Sequence, residues 1–262
     1  MTNKPLVSVL ITAYNREEYI SDAIKSVLSS TYTNFELIIS DDCSKDNTVE
    51  LAKSFEKLDH RVKVYQNKVN LGDYPNRNQA ASYAIGKYIK YLDSDDIMYP
   101  HCLDVMVYCM EQFPAAGFGL CAVGDETTPY PVSISSYECY QNLILEKGEL
   151  NRAPGSSIIN RYIFNEIGGF SGIRQIGDFE FWLKIASRYP LVKMPLDLYW
   201  SRLHSATEKN VNSEKEKTIM KHELIKKLIK SEALPLNKEE KEKLIEVYRN
   251  NFFDRMKRRI KW

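Results

Sequence analysis

Two stretches of this chain, Leu6 to Tyr14 (LVSVLITAY) and Phe35 to Asp41 (FELIISD), are almost unbroken runs of β-branched and apolar residues. A strand with one wet face alternates, whereas an unbroken run is buried on both faces, as in a parallel sheet covered by helices on each side. Parallel strands need a long crossover, and the segment between the runs provides one. In REEYISDAIKSVLSS the apolar Tyr19, Ile20, Ala23, Ile24, Val27 and Leu28 share one helical face, and the early glutamates suit its N-terminal dipole. Next, Asp46 or Asn47 can cap a helix over TVELAKSFEKL, and VKVY (Val62 to Tyr65) reads as a third short strand. PNRNQAASYAIG predicts a further helix, with Pro75 near its start and Gly86 at its end, leading into the strand YIKYL. Residues 1–100 therefore read as a Rossmann-like βαβαβ half-domain, whose ligands belong at the carboxyl ends of its strands.

Residues 101–210 are less regular. A helix is expected from about His101 to Phe113, a strand in AAGFGLCAV, and mixed sheet and loop through GSSIINRYIF. DFEFWLKIASRY, Asp178 to Tyr189, reads as a helix with Phe179, Trp182, Leu183 and Ala186 on one face, and LVKMPLDLYWSRLH as strand-like. Residues 211–262 are highly charged and read as two helices broken at Pro235. The expected class is α/β: a mixed central sheet flanked by helices over 1–210, with a helical C-terminal extension over 211–262.

Composition narrows the function. Of 262 residues 44% are hydrophobic, enough for a sizeable core, and 36 Lys and Arg against 35 Asp and Glu give no reason to expect nucleic acid as a partner. Five scattered cysteines, with no CxxC pair, point to free thiols and a cytoplasmic setting. The apolar run before Thr12 is too short for a signal peptide or for the roughly 20 residues of a membrane span.

Carboxylates gather where the strands should end: Asp41 and Asp42 after the second, then Asp93, Asp95 and Asp96 (DSDD) after YIKYL, then Asp178 before a helix. One Asp can cap a turn, but three within four positions repel one another and call for positive charge. Mg²⁺ or Mn²⁺ is the economical neutraliser, because it takes oxygen ligands from one or two carboxylates together with phosphates and water.

In order and spacing, VSVLITAYNREEYISDAIKSVLSSTYTNFELIISDDCSKDNT, NRNQAASYAIGKYIKYLDSDD, IGGFSGIRQIGDFEFWLKIA and RLH resemble an inverting family 2 glycosyltransferase of the GT-A type, over about Leu6 to His204. The resemblance implies transfer of a sugar from a nucleotide diphosphate, by default a UDP-sugar, to an acceptor hydroxyl with inversion, in surface polysaccharide synthesis. It implies that Thr12, Ala13 and Tyr14 border the base, that Asp42 accepts a pyrimidine N–H, and that Arg77 lies near base and phosphates. Asp93 and Ser94 of the Asp-x-Asp loop would meet the nucleotide sugar. Asp95 would hold Mn²⁺ or Mg²⁺, with Asp93 on the ribose or in the metal shell and His204 as a further ligand. Asp178 would be the base that takes the acceptor proton, its ionised form favoured by the helix dipole unless burial outweighs it. Here the chain departs from the common pattern, in which an acidic residue often precedes the base, because it has Gly177. Asp96, next in line, is expected to turn away and cap the turn before Pro100.

Two other classes would share parts of this pattern. A non-catalytic nucleotide-sugar binding protein would lack the base or the metal carboxylate, and both are present. A nucleotidyltransferase would bring a glycine-rich basic loop where this chain has TAYNREEY. In the tail, Leu244, Tyr248, Phe252, Met256 and Ile260 form an i+4 ladder, and Asp254 to Trp262 holds five Lys or Arg against one Asp, a net of +4. Two readings stand: a basic amphipathic helix on an anionic membrane surface, near a saccharide or lipid-linked saccharide acceptor, or a helix docked on the catalytic domain or on a homodimer partner.

Overall fold

The computed structural model describes residues 6–121, 129–145, 148–203, 214–231 and 234–257. In chain order its elements begin β1 (Val7–Ala13), α1 (Ile20–Leu28), β2 (Phe35–Asp41), α2 (Thr48–Leu58), β3 (Val62–Gln66), α3 (Asp73–Tyr83), β4 (Tyr88–Asp93), β5 (Ile97–Met98) and α4 (Cys102–Glu111). The second half adds β6 (Phe118–Cys121), β7 (Val132–Ile134), α5 (Ser136–Ile144), β8 (Ser157–Asn160), α6 (Arg161–Ile167), α7 (Gly177–Ala186), β9 (Leu191–Met194) and β10 (Tyr199–Trp200). Two helices, α8 (Glu214–Ser231) and α9 (Lys238–Lys257), complete the described chain.

Among the described residues one mixed sheet runs in the order β3-β2-β1-β4-β8-β6-β9-β7. Its first four strands are parallel, and β8 pairs antiparallel with both β4 and β6. Because β1 leads outward to β2 on one side and lies beside β4 on the other, the strand order reverses between β1 and β4. In an open α/β sheet a crevice opens at the carboxyl ends of such a pair. The register sets Thr12 against Asp93 and Ala13 against Asp41, so the ends of β1, β2 and β4 lie side by side.

The unbroken apolar runs serve both faces, as the sequence predicts. Val7, Val9 and Ile11 pack with α1 and α4, while Leu10 joins Ile38, Tyr91 and the residues of α3 and α7 on the opposite face. That second layer also takes in Leu224, Ile225 and Leu228 of α8 and Leu244 of α9, so the tail helices and the sheet share one core.

Two expectations need revision. Helix α3 ends at Tyr83, with Ala84 already extended, and Gly86 is not its cap. What Gly86 provides is close approach: a Cβ there would lie 2.7 Å from the Ser8 backbone nitrogen, and Gly86 N–H donates to Ser8 Oγ at 2.9 Å. Helix α7 does not present one apolar face. Phe179, Glu180, Phe181, Trp182, Leu183, Ile185 and Ala186 are all buried, because α7 lies between the sheet and the α5, α8 and α9 layer.

Gly86→Ala should therefore cost about 1–3 kcal/mol by overpacking against a backbone that cannot yield. Urea titration would show this as a lowered midpoint with an unchanged slope, and an unchanged midpoint would refute the close-approach account.

Candidate active site

The loops that follow β1 and β2 are tied to each other at the sheet's carboxyl edge. Asn15 N–H donates to Ser44 Oγ at 2.9 Å, Lys45 N–H to Asn15 Oδ1 at 2.8 Å, and Arg16 N–H to Thr48 Oγ1 at 2.7 Å. Asn15 (φ 51°) and Cys43 (φ 66°) hold left-handed backbone where the two chains turn. Ala13 is buried and Thr12 half-buried beneath this edge, while Tyr14 stands 44% exposed above it, an aromatic face turned to solvent.

Asp42 is 3% exposed and committed inward. Its Oδ1 accepts from Asn67 Nδ2 at 2.9 Å and Leu71 N–H at 2.8 Å, and its Oδ2 from Gly72 N–H at 2.8 Å. These three bonds leave Asp42 one of its roughly four acceptor sites, on Oδ2, and a pyrimidine N–H would have to reach that oxygen at a residue only 3% exposed. Asn76, which sequence reasoning overlooked, braces the same corner: its Oδ1 accepts from Ser40 Oγ at 2.8 Å and from Asn67 Nδ2 at 2.9 Å.

The DSDD loop is balanced by cations from four directions. Arg77, on α3 and 7% exposed, donates through Nη2 to Asp93 Oδ1 at 2.7 Å and through Nε to Asp73 Oδ1 at 2.8 Å. Burial works to raise the Asp93 pKa, but the Arg77 charge and hydrogen bond override it and hold the carboxyl below its ordinary range. Arg77 Nη1 is buried with no hydrogen-bond partner, a donor left over at the site. Lys90, fully buried in the middle of β4, donates to the carbonyls of Tyr91, at 2.7 Å, and Gly155 and adds positive charge beneath Asp93. Arg16 Nε stands 3.4 Å from Asp95 Oδ2. Arg202 donates from Nε to the Asp95 carbonyl at 3.0 Å. Of these, Lys90 could be read from the sequence as an ordinary strand lysine, nothing local marked Arg16, and Arg202 entered only as the first residue of the RLH match, with no role assigned to it.

Asp96 does not turn away to cap a turn. It is 4% exposed, its Oδ1 accepts Arg202 N–H at 2.9 Å, and burial together with neighbouring Asp93 pushes its pKa up to about 7. Asp96 thus pins the segment after β10 to the DSDD loop, and α4 starts without a side-chain cap. Ser94 is buried within the same loop. His204 lies outside the described residues.

The donor set suits a hard divalent cation. Asp95 keeps 17% of its side chain exposed and already draws a cationic group, and Asp93 keeps 31% and has one oxygen on Arg77. Among the described residues no cluster of three or more His, Cys, Asp or Glu is arranged to hold a metal. Asp95 with Asp93 would therefore hold Mg²⁺ or Mn²⁺ only alongside oxygens from phosphate and water.

Asp178 lies across the crevice at the start of α7. Its Oδ1 accepts Phe179 N–H at 2.7 Å, and its own N–H donates to Tyr74 Oη of α3 at 3.1 Å. Burial raises the Asp178 pKa, and the Phe179 N–H, the charges of Lys221 and Arg77 and the Tyr74 hydroxyl offset only part of that rise. Burial outweighs the helix dipole here. Glu180 takes a different direction: it is 5% exposed, accepts from Ser171 Oγ and pairs with Lys184 at 3.0 Å. Asn78 anchors the Gly-Gly-Phe turn by holding both sides of Phe170, donating to its carbonyl at 2.7 Å and accepting its N–H at 2.9 Å.

In the tail, Leu244 is fully buried and the Tyr248 ring lies 6.1 Å from that of Phe179, so these two members of the ladder face the protein. Glu240 accepts from Tyr137 Oη at 2.8 Å and Gln141 Nε2 at 2.6 Å of α5. The side chains of Phe252 and Met256 and the whole of Ile260 lie outside the described residues. No helix among the described residues is long and apolar enough to cross a membrane.

This is the GT-A arrangement of sheet and crevice. Residues 8–175 match the family described as Glycosyl transferase family 2, and the chain belongs to that family. It is 36% identical over 154 residues to the putative teichuronic acid biosynthesis glycosyltransferase TuaG of Bacillus subtilis, covering 55% of this chain and 61% of that one. It is 43% identical over 105 residues to UDP-Glc:alpha-D-GlcNAc-diphosphoundecaprenol beta-1,3-glucosyltransferase WfgD of Escherichia coli, covering 40% and 41%. The chain spans between 35% and 61% of the length of the first two curated relatives it matches. In fold it resembles S. aureus TarS 1-349 in complex with UDP-GlcNAc, with a TM-score of 0.72 at 18% identity, covering 95% and 72%. It also resembles the mannosyltransferase PcManGT from Pyrobaculum calidifontis in complex with GDP-Man and Mn²⁺, with a TM-score of 0.70 at 16% identity, covering 96% and 70%.

Removing Arg77 takes the charged hydrogen-bond donor from Asp93, whose side chain is 31% exposed, so Arg77→Met should cost about 1–3 kcal/mol. Adding Asp93→Asn to that variant should recover part of the loss, read as melting temperature in a double-mutant cycle; strict additivity would show that the two groups are not coupled.

Proposed function

We propose that the chain is a metal-dependent inverting glycosyltransferase that moves a sugar from a UDP-sugar to an acceptor hydroxyl in bacterial surface polysaccharide synthesis. The observation that carries this reading is the convergence on one crevice of carboxylates from the ends of β2 and β4 and the start of α7, with α3 reaching both the DSDD loop and Asp178. The names of the B. subtilis and E. coli relatives support the biosynthetic setting, and the TarS complex supports the UDP-linked donor. The acceptor is a saccharide or a lipid-linked saccharide, the latter being named in the E. coli relative. The basic end of the sequence, Asp254 to Trp262, would suit work at an anionic membrane surface on the cytoplasmic side.

In this mechanism Tyr14 offers its exposed ring to the base, and Thr12, Ala13 and Asp42 with its 67–72 loop form the wall behind it. Asp93 and Ser94 border the sugar nucleotide, and Arg77, which keeps an unpaired Nη1 donor, lies near its base and phosphates. Asp95, with Asp93 and with His204 as a further ligand, would hold Mn²⁺ or Mg²⁺, which supplies charge to stabilise a departing diphosphate. Asp178 takes the acceptor proton as the hydroxyl attacks the anomeric carbon from the face opposite the leaving group, which inverts the centre.

A thermal-shift screen tests the donor site directly, since ligands that bind the native state stabilise it by mass action. UDP with Mn²⁺ should raise the melting temperature of the wild type and of Asp96→Ala more than that of Asp95→Ala; a shift indifferent to metal would sink the metal assignment.

Asp178→Asn should lower kcat by at least about 10³-fold while leaving the UDP-induced shift intact. Because the base must be ionised and its pKa is raised, wild-type kcat should fall as pH drops through a value above the ordinary carboxylate range. A rate still flat at pH values near that ordinary range would contradict the assignment.

A further inference from the structure

Gly177 stands where the family pattern often has an acidic residue, and the structure shows what fills the space. A Cβ on Gly177 would lie 2.7 Å from Cε2, 2.9 Å from Cζ and 3.0 Å from Cδ2 of Tyr74. Those contacts are closer than real Cβ atoms make, so Tyr74 can hold its place only against glycine. The ring is 7% exposed and backed by Phe170 at 5.2 Å between centroids, which leaves it little freedom to move away. Its hydroxyl accepts the Asp178 N–H at 3.1 Å, which leaves the phenolic hydrogen to be donated. A tyrosine this well buried stays protonated, because burial and the nearby Asp178 charge both raise its pKa.

We propose that Tyr74 is the positioning residue for Asp178, fixing the backbone nitrogen of the base and donating its hydroxyl hydrogen to the carboxylate, in a space that Gly177 keeps open. The proposal rests on the reading of Asp178 as the base. It assigns to α3 a task on the acceptor side of the crevice in addition to its Arg77 contact with Asp93. Among the described residues, the titratable and charged groups that face Asp178 are Tyr74 and Arg77 from α3 and Lys221 from α8. Lys221 also lies 4.6 Å from the Phe179 ring centroid and donates to Asn151 Oδ1 at 2.5 Å, so it has a place of its own and does not depend on Tyr74.

Tyr74→Phe keeps the ring and removes only the hydroxyl. The carboxylate then loses a donor that favours its charged form, so the Asp178 titration, followed by carbon-13 NMR of the aspartate carboxyls, should move up by about one pH unit. The acid limb of kcat should move with it, whatever the rate reached on the alkaline plateau. Gly177→Ala, which drives the ring away, should shift the limb in the same direction. Adding Tyr74→Phe to Gly177→Ala should then shift it no further, since both act on one contact.

An unmoved Asp178 titration in Tyr74→Phe would overturn the proposal, as would a titration that moves while the acid limb stays, or a loss of rate uniform across pH. Asp178→Asn assayed in parallel separates the two levels. Transfer surviving in Asp178→Asn would overturn the base assignment and the Tyr74 role with it. Transfer lost in Asp178→Asn, with Tyr74→Phe behaving as wild type, would overturn the Tyr74 role alone.

Discussion

The pairing of Arg77 with Asp93 is the constraint on which the rest of this crevice depends. A parallel sheet brings the ends of its strands together, and here those ends carry carboxylates that repel one another in a poorly hydrated setting. Arg77 answers from α3, Lys90 from within β4, Arg16 from the loop after β1 and Arg202 from beyond β10. Each cation comes from a different part of the chain, so the acidic cluster cannot assemble until distant segments have met. The charge balance therefore acts also as a fold constraint: it draws the N-terminal loop, the fourth strand and the segment after β10 onto one edge.

Much of this architecture was legible in the chain because it is written in local patterns. Unbroken apolar runs gave the parallel strands, helical periodicity gave α1 and α2, and acidic residues after strands marked the crevice. What was not legible depends on contacts between segments far apart. Asp96 looks like a turn cap beside its neighbours, yet its carboxylate is used by Arg202, 106 residues away. Gly86 looks like a helix terminator, yet its missing Cβ makes room for Ser8. Asp42 reads as a ligand contact, and the fold adds a task the sequence did not show, since its oxygens also gather a loop. Asn76 and Asn78 flank Arg77 in a matched stretch but drew no role from the sequence, although one braces the end of β2 and the other clamps the Gly-Gly-Phe turn.

The tail shows the same limit from the other side. Its charged composition left two readings open, a helix on a membrane surface or a helix docked on protein, because polar residues dominate a one-dimensional view. The fold buries Leu224, Ile225, Leu228 and Leu244 in the core that holds α7, and sets Lys221 near Asp178, so the described part of the tail is docked on the catalytic domain. A handful of apolar positions outweighs many exposed lysines and glutamates, since only the buried face contributes much to packing.

One consequence follows from α3. Tyr74 lies one turn before the adjacent Arg77 and Asn78 on the same helix, and the three reach, respectively, Asp178, the DSDD loop and the Gly-Gly-Phe turn. A helix advances about 1.5 Å per residue and hardly stretches, so the spacing of Asp178 from the DSDD loop is set by a helical length. Loops around the crevice can then differ in length and sequence while that spacing stays constant, because the helix and not the loops carries it.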